Sequence, residues 1–174
     1  MQINHFIILN AYQIYQAADP ALITDLFTWL RKDERDLYKN AVASLAAERK
    51  LRPVFIQKKP IADQFAWLNK TLKLKSTDMM GEHLFQLWFM KGQEELLVTF
   101  CDSMGIEHDG KGSVEGEIPA ELDAEKLKTA VDALLEKFDS KLVTCYLYIF
   151  NLQRDGGWES IAAVLESDER LKLA

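Results

Sequence analysis

Cationic side chains are concentrated in one stretch of the sequence, residues 49–75. This stretch holds eight Lys or Arg residues and one acid, Asp63, so it carries a net charge of +7 in a chain whose total is −6. Three aromatic residues, Phe55, Phe65 and Trp67, are interleaved with the cations. Such mixtures are typical of surfaces that bind anionic partners. The cations are Arg49, Lys50, Arg52, Lys58, Lys59, Lys70, Lys73 and Lys75.

Six of these cations are predicted to contact a partner. Lys70 and Lys73 are three positions apart, which places them on one face of a helix, and Lys58 and Lys59 come just before that helix begins. The simpler interpretation is a solvated helix face above ordinary core aromatics, and the sequence leaves both interpretations open. The predicted partner-binding residues are Arg52, Lys58, Lys59, Lys70, Lys73 and Lys75.

Three anionic partners are compatible with the basic stretch: an acidic protein surface, this chain's own acidic segment, and nucleic acid. Residues 107–139 contain ten acids and four lysines, a net charge of −6, so they could pair with residues 49–75 within the chain or across a homodimer. The sequence pI of about 5.1 argues against nucleic acid, because domains that bind it are usually basic overall.

Metal ligands do not occur at the spacings that metal sites require. His5, His83 and His108 form neither an HExxH motif nor a pair at helical spacing, and adjacent residues such as Glu82 and His83 point about 100° apart around a helix. Residues 107–118 approach a calcium-loop template, but a cation, Lys111, and the apolar Ile118 stand where carboxylates are needed. The sequence therefore predicts a turn in this loop and no metal or cofactor.

Nucleophilic catalysis also lacks its motifs. The sequence contains no GxSxG, and neither Cys101 nor Cys145 has a neighbouring His that would lower its pKa. Both cysteines lie in apolar runs, so we expect buried thiols in a reducing compartment. No catalytic residue is predicted.

The chain is expected to be cytoplasmic and to lack membrane partners. Its first sixteen residues, MQINHFIILNAYQIYQ, have an apolar core of only four residues, no preceding basic region and no cleavage site of small residues. No apolar run approaches the roughly 18 residues that a membrane-spanning helix needs.

Apolar residues recur at helical spacing along the chain, which predicts an all-α protein of about nine helices. With 8 Gly and 4 Pro among 174 residues, the sequence is poor in the turns that many short strands would require. The first helix is predicted over 3–18, and the segment LRPVFIQKK, residues 51–59, is predicted to interrupt the helices. The helix boundary signals are Asp19-Pro20, Pro60, Ser76 or Thr77, Gly105 and Asp139.

Two stretches of the sequence, 84–100 and 149–165, resemble each other without a gap. Phe85 aligns with Phe150 and Gly92 with Gly157, and each third of the chain reads as helix, capped junction, helix, tight turn, helix. We therefore predict a single domain, 1–174, with three-helix units over 3–50, 60–106 and 122–173. These units would stack as an α-solenoid-like array or a compact pseudo-symmetric bundle.

Three classes of function follow from these patterns. The leading hypothesis is a non-catalytic interaction or scaffold protein that binds a protein or other anionic partner through the basic stretch. The alternative is an enzyme or small-molecule-binding bundle whose site is assembled from distant residues such as Tyr12, His83 and Tyr146. The third is nucleic-acid binding through residues 49–75, which would weaken steeply as salt increases.

Overall fold

The computed structural model describes residues 8–174 and confirms the all-α class. Within this range there are ten α-helices and, apart from an isolated bridge between His108 and Val114, no β-structure. The helices are α1 Ala11–Ala17, α2 Pro20–Asp33, α3 Arg35–Glu48, α4 Pro53–Gln57, α5 Ile61–Leu72, α6 Asp78–Leu87, α7 Glu94–Met104, α8 Ala124–Lys137, α9 Ser140–Asn151 and α10 Glu159–Ser167. A 3₁₀ turn, Lys75–Thr77, precedes α6, and a π-helical turn, Trp88–Gly92, follows it. No helix within 8–174 combines the length and apolar character needed to cross a membrane.

Most of the predicted helix boundaries are confirmed. The Asp19 carboxylate accepts the backbone N–H of Ala21 at the start of α2, and Asp139 does the same for Lys141 at the start of α9. Gly105 ends α7 in the left-handed conformation, with φ of +68°. Thr77 occupies the residue before α6, but its hydroxyl accepts no backbone N–H from that helix and lies within donating distance of the carbonyls of Thr71 and Leu74.

Two predicted boundaries near the basic stretch and the N-terminus need correction. Residues 3–7 of the first predicted helix lie outside the described residues, and residues 8–10 are not helical, so α1 begins at Ala11. The segment predicted to interrupt the helices contains the short helix α4. Pro53 opens α4, because proline has no N–H to leave unpaired at a helix start and its φ is already helical.

The chain divides into two units. One is Ala11–Trp88, which holds α1 to α6, and the other comprises 89–174 with residues 8–10 of the described chain. The single domain and the three-helix units predicted from the sequence remain predictions.

In the Ala11–Trp88 unit, α1 packs against α6 and α5 packs against α2, α3 and α4. Tyr15 stacks on Phe85 with ring centroids 4.4 Å apart, and its hydroxyl donates to the Gly81 carbonyl at 3.1 Å. A Cβ at Gly81 would lie 2.8 Å from the Tyr15 ring, so this contact requires glycine. Phe65 of α5 packs on Phe27 of α2 at 5.6 Å, which joins α5, inside the basic stretch, to α2.

In the unit containing 89–174, α7 packs against α8, and α9 contributes a run of aromatic side chains. Phe150 makes an edge contact with Phe100 at 4.9 Å and stacks on Trp158 at 5.0 Å. The buried Asn151 side chain accepts the Trp158 N–H at 2.6 Å, and Gly157 lies against that amide. The turn between α9 and α10 is therefore held by a buried side chain.

The two similar stretches have the same burial at the positions where their residues match, but they have different turns. Residues 84–100 pass through a π-helical turn, whereas 149–165 pass through an irregular turn in which Gly157 has φ of +68°. Phe85 and Phe150 are buried, as are Leu96 and Ile161; Leu87 and Leu152 are half-buried; Glu94 and Glu159 are exposed. The shared pattern is that of one buried helix face.

Candidate functional site

Three of the six predicted partner-binding cations flank the short helix α4. Arg52 is the residue before α4, Lys58 is the residue after it, and Lys59 follows; all three are exposed. The fold therefore brings Arg52 together with Lys58 and Lys59, although five helical residues separate them in sequence.

The other three predicted cations lie at the opposite end of α5. Lys70 is in its last turn, Lys73 is the half-buried residue that ends it, and Lys75 is in the 3₁₀ turn that follows. The Lys73 carbonyl accepts a hydrogen bond from the Gln16 side chain at 2.8 Å, so its backbone is fixed. With a rise of 1.5 Å per residue, about 15 Å of helix separates Lys70 from the α4 end. The single basic stretch of the sequence thus forms two clusters.

Apolar side chains are exposed beside the first cluster. Four of the seven exposed large apolar residues in the described chain lie within residues 51–61. Phe55 is 61% exposed, while its neighbour Ile56 is buried at 2% and anchors α4 to the unit. We call the set Leu51, Arg52, Val54, Phe55, Lys58, Lys59 and Ile61 the α4 surface.

A buried glutamine positions the α4 surface. Gln64 of α5 is only 5% exposed, and its amide nitrogen donates to the carbonyls of Gln57 at 3.1 Å and Lys59 at 2.8 Å. Its amide oxygen accepts the Tyr38 hydroxyl at 2.6 Å. Because both amide hydrogens and the oxygen are engaged, the backbone that carries Lys58 and Lys59 is held against α3 and α5. No local pattern in the sequence indicates this clamp, since it joins Gln64 to Tyr38, 26 positions earlier in the chain.

A pocket of about 350 Å³ lies next to the clamp, and we call it the arginine pocket. Its cations are Arg31 at the end of α2 and Arg35 and Lys39 on α3, and no acid lines it. Burial raises the pKa of the Tyr38 hydroxyl, and the charge of Arg31 opposes that shift. Its lining residues are Arg31, Arg35, Tyr38, Lys39, Gln57 and Gln64.

An apolar groove of about 450 Å³ runs between α2 and α5. None of the six predicted cations lines it, but Ile61 belongs both to this groove and to the α4 surface. One polar atom stands out here: the Asn69 amide oxygen is buried without a hydrogen-bond partner. The groove is lined by Pro20, Ile23, Thr24, Phe27, Ile61, Ala62, Phe65, Ala66 and Asn69.

The residues named for an assembled enzyme site have separate structural roles. His83 is exposed on α6 and lines a pocket of about 380 Å³ together with Glu48 and Met79. The backbone N–H of Tyr12 donates to the Asp78 carboxylate at 3.0 Å. Tyr146 is a core residue, 4% exposed and packed on Phe100, and its burial raises the pKa of its hydroxyl.

In the loop that resembles a calcium site, Asp109 and His108 Nδ1 accept the loop's own backbone N–H groups, while His108 Nε2 contacts the Asp102 carboxylate of α7 at 2.7 Å. One Asp109 oxygen accepts the N–H groups of Lys111 at 2.8 Å and Ser113 at 3.2 Å, and these bonds lower the pKa of the carboxyl. His108 Nδ1 lies 3.1 Å from the Gly110 nitrogen and 3.2 Å from the Gly112 nitrogen, and accepts both N–H groups. The turn predicted here is confirmed. Among residues 8–174, no group of three or more His, Cys, Asp or Glu is arranged to hold a metal ion.

The cysteines are buried and free, as predicted. Burial raises the pKa of Cys101 to about 11, helped by the charges of Asp102 and Asp109, and burial raises the pKa of Cys145 as well. The Cys101 thiol donates to the Gly112 carbonyl at 3.6 Å, so it contributes to holding the loop. Both thiols are therefore protonated at neutral pH and poor nucleophiles.

Comparison of the chain with protein-family models, with curated proteins and with solved structures finds no match. No relative indicates a ligand or an activity. The function is therefore argued from the geometry of the α4 surface and its neighbourhood.

Proposed function

We propose that this chain is a non-catalytic interaction module that binds an acidic protein partner through the α4 surface. The observation that carries the proposal is the exposure of Leu51, Val54, Phe55 and Ile61 between cations. Exposed apolar side chains that form a patch rimmed by charge are typical of protein-binding surfaces. The apolar residues would supply the buried contact area, and Arg52, Lys58 and Lys59 would select an acidic partner and speed its approach.

The composition of the α4 surface favours a protein over a nucleic acid. Surfaces that bind single strands stack bases on several aromatic rings, whereas this surface exposes one ring, Phe55, among aliphatic side chains. Nucleic-acid binding stays the alternative, and its steep salt dependence distinguishes it.

The groove between α2 and α5 extends the proposed interface. Ile61 is 37% exposed and also lines the groove, so the α4 surface and the groove share an apolar residue. A partner that binds the α4 surface would therefore lie next to the groove. A partner's apolar side chain placed there would be covered by Phe27 and Phe65. Central contacts that exclude water are the ones that dominate binding energy.

Site-specific photo-cross-linking tests the proposal. A photoreactive phenylalanine analogue at position 55 should cross-link an acidic protein in an extract of the source cells. The same analogue at Met79, which is 86% exposed in the same unit but outside the α4 surface, is the matched control. The cross-link at 55 should disappear in the Lys58→Glu/Lys59→Glu variant and persist in Lys126→Glu/Lys128→Glu, which reverses two exposed charges on α8.

Three outcomes would contradict the proposal. These are the same cross-linked proteins at positions 55 and 79, a cross-link at 55 that survives the Lys58→Glu/Lys59→Glu change, and the absence of any cross-linked protein. Cross-linked nucleic acid, lost as salt is raised, would favour the alternative function.

A further inference from the structure

The arginine pocket concentrates positive charge in a concave site. Arg31, Arg35 and Lys39 line it, and none of the ion pairs formed within residues 8–174 involves these three side chains. Asp33, Glu34 and Asp36 alternate with the arginines in sequence but do not line the pocket. All three side chains are exposed, so solvent screens their mutual repulsion, but an anion in the pocket would be attracted to each of them.

The floor of the pocket is rigid. Tyr38 is 6% exposed and Gln64 is 5% exposed, and the two are joined by the 2.6 Å hydrogen bond from the Tyr38 hydroxyl. Gln64 is in turn bonded to the carbonyls of Gln57 and Lys59. The cations therefore lie on helices beside a buried, hydrogen-bonded pair, Tyr38 and Gln64. Ligand sites commonly combine charged groups with polar residues held in this way.

We propose that the arginine pocket binds a phosphate ester. Arginine presents a planar fork of N–H donors that matches two phosphate oxygens at once, and two arginines with a lysine suit a dianion better than a single carboxylate. The volume of about 350 Å³ is roughly ten times the volume that one water molecule occupies in the liquid, so it admits a phosphate together with part of the group it esterifies. The Gln57 side chain at the rim is available to that organic group.

This site is separate from the interaction surface proposed above. Its cations come from α2 and α3, whereas those of the α4 surface flank α4. The two proposals therefore fail independently: a chain that binds phosphate esters without a protein partner supports only the pocket, and a partner held at position 55 without phosphate binding supports only the surface.

Isothermal titration calorimetry with two probes at constant ionic strength tests the pocket. The probes are O-phosphoserine, a free phosphate monoester, and a short peptide containing phosphoserine. We expect at least one of them to bind wild type, and Arg31→Gln/Arg35→Gln to weaken that binding about tenfold or more. The control variant Lys70→Gln/Lys73→Gln also removes two positive charges, but at the far end of α5. This variant should bind the probe as wild type does. Binding of the free ester would identify a small metabolite as the source of the phosphate, and binding of the peptide alone would identify a phosphorylated protein.

A second measurement needs no variant. Phenylglyoxal modifies exposed arginines, and a bound probe should slow its reaction at Arg31 and Arg35 while leaving Arg49 and Arg154 unprotected. Mass spectrometry of the digested protein reports each site separately. The proposal is overturned by wild type that binds neither probe at millimolar concentration, by equal weakening in the two double variants, or by protection that does not distinguish the pocket arginines.

Discussion

Two segments that connect longer helices, 49–60 with the short helix α4 and the loop 105–115, use their polar groups in opposite ways. In 105–115, His108 and Asp109 are engaged with backbone N–H groups, and Cys101 donates to the carbonyl of Gly112. In 49–60 the backbone is held from outside by Gln64, while the cations and Phe55 face solvent. In 105–115, the residues that could have bound a ligand stabilise the loop instead. In 49–60, the charged side chains remain exposed and available to a partner.

This difference favours 49–60 over 105–115 as the location of the proposed interaction surface. A side chain that holds a loop together cannot bind a partner unless the loop unfolds. The presence of such a residue is therefore explained by the stability of the loop. A side chain that points outward from a backbone fixed by other residues can be replaced with little structural cost. The predictions below test this contrast, beginning with the largest expected effect.

Replacing Gly112 by alanine should strongly destabilise the loop. The residue has φ of +88°, and an added Cβ would overlap Leu97 and lie 2.8 Å from the Val98 nitrogen. Backbone strain and overlap together should lower the free energy of unfolding by about 3–5 kcal/mol in urea denaturation. Gly110, with φ of +89° and open space around it, is the matched control and should lose only roughly 1–2 kcal/mol. Equal losses would show that Leu97 yields to the new atom.

Cys101 should make stability fall at alkaline pH. Its folded pKa of about 11 exceeds the ordinary value of 9.0, so the unfolded chain loses this proton first and is favoured as the pH rises from 9 to 11. Below pH 9 the contribution of the protonated Cys101 thiol to the free energy of unfolding is fully present. About 2 kcal/mol of this free energy should be lost by pH 11. Unfolding of wild type and Cys101→Ser across this range measures it. A stability difference between the two that stays constant with pH would contradict the buried, protonated thiol.

Removing His108 should loosen the loop without unfolding the chain. His108→Ala deprives Gly110 and Gly112 of their N–H acceptor, so hydrogen exchange at these amides should become about tenfold faster. His83→Ala removes an exposed helical histidine and should leave both amides unchanged. Unaltered exchange in His108→Ala would mean that the remaining bonds, including those of Asp109 and Cys101, are sufficient to hold the loop.

Replacing Phe55 by serine should have the smallest effect on stability. The ring is 61% exposed, and exposed substitutions change the free energy of unfolding by within about 0.5 kcal/mol. Phe85→Ala, in the same unit but at a fully buried ring, should cost about 3–5 kcal/mol. A large loss from Phe55→Ser would show that Phe55 supports α4, and the contrast between the two segments would fail.

Fold class and most boundaries could be predicted because their causes are local. Asp19, Asp139 and Gly105 each act within about three residues of a helix end, so their types and the apolar spacing suffice. The position of Thr77 before α6 could be predicted, but the direction of its hydroxyl could not, because the hydroxyl bonds to the Thr71 carbonyl of the preceding helix. Helix α4 was missed since five residues give too little periodicity to detect.

The candidate sites were only partly predictable for the same reason. Charge counting identified Arg52, Lys58 and Lys59, but it could not show that about 15 Å of helix separates them from Lys70. Counting also overlooked Arg31 and Arg35, because acids between them cancel their charge in the sequence although those acids do not line the pocket. The Gln64 clamp depends on Tyr38, 26 positions away, and a contact at that separation leaves no local pattern.

The prolines that bracket α4 have a consequence for the thermodynamics of association. Pro53 begins the helix and Pro60 precedes α5, and each restricts the backbone on its own side of Phe55. Little conformational entropy would then remain to be lost when a partner binds, since the exposed side chains already stand on an ordered backbone. Binding there should resemble the docking of two rigid bodies, with a heat-capacity change that matches the apolar area covered and no added contribution from folding.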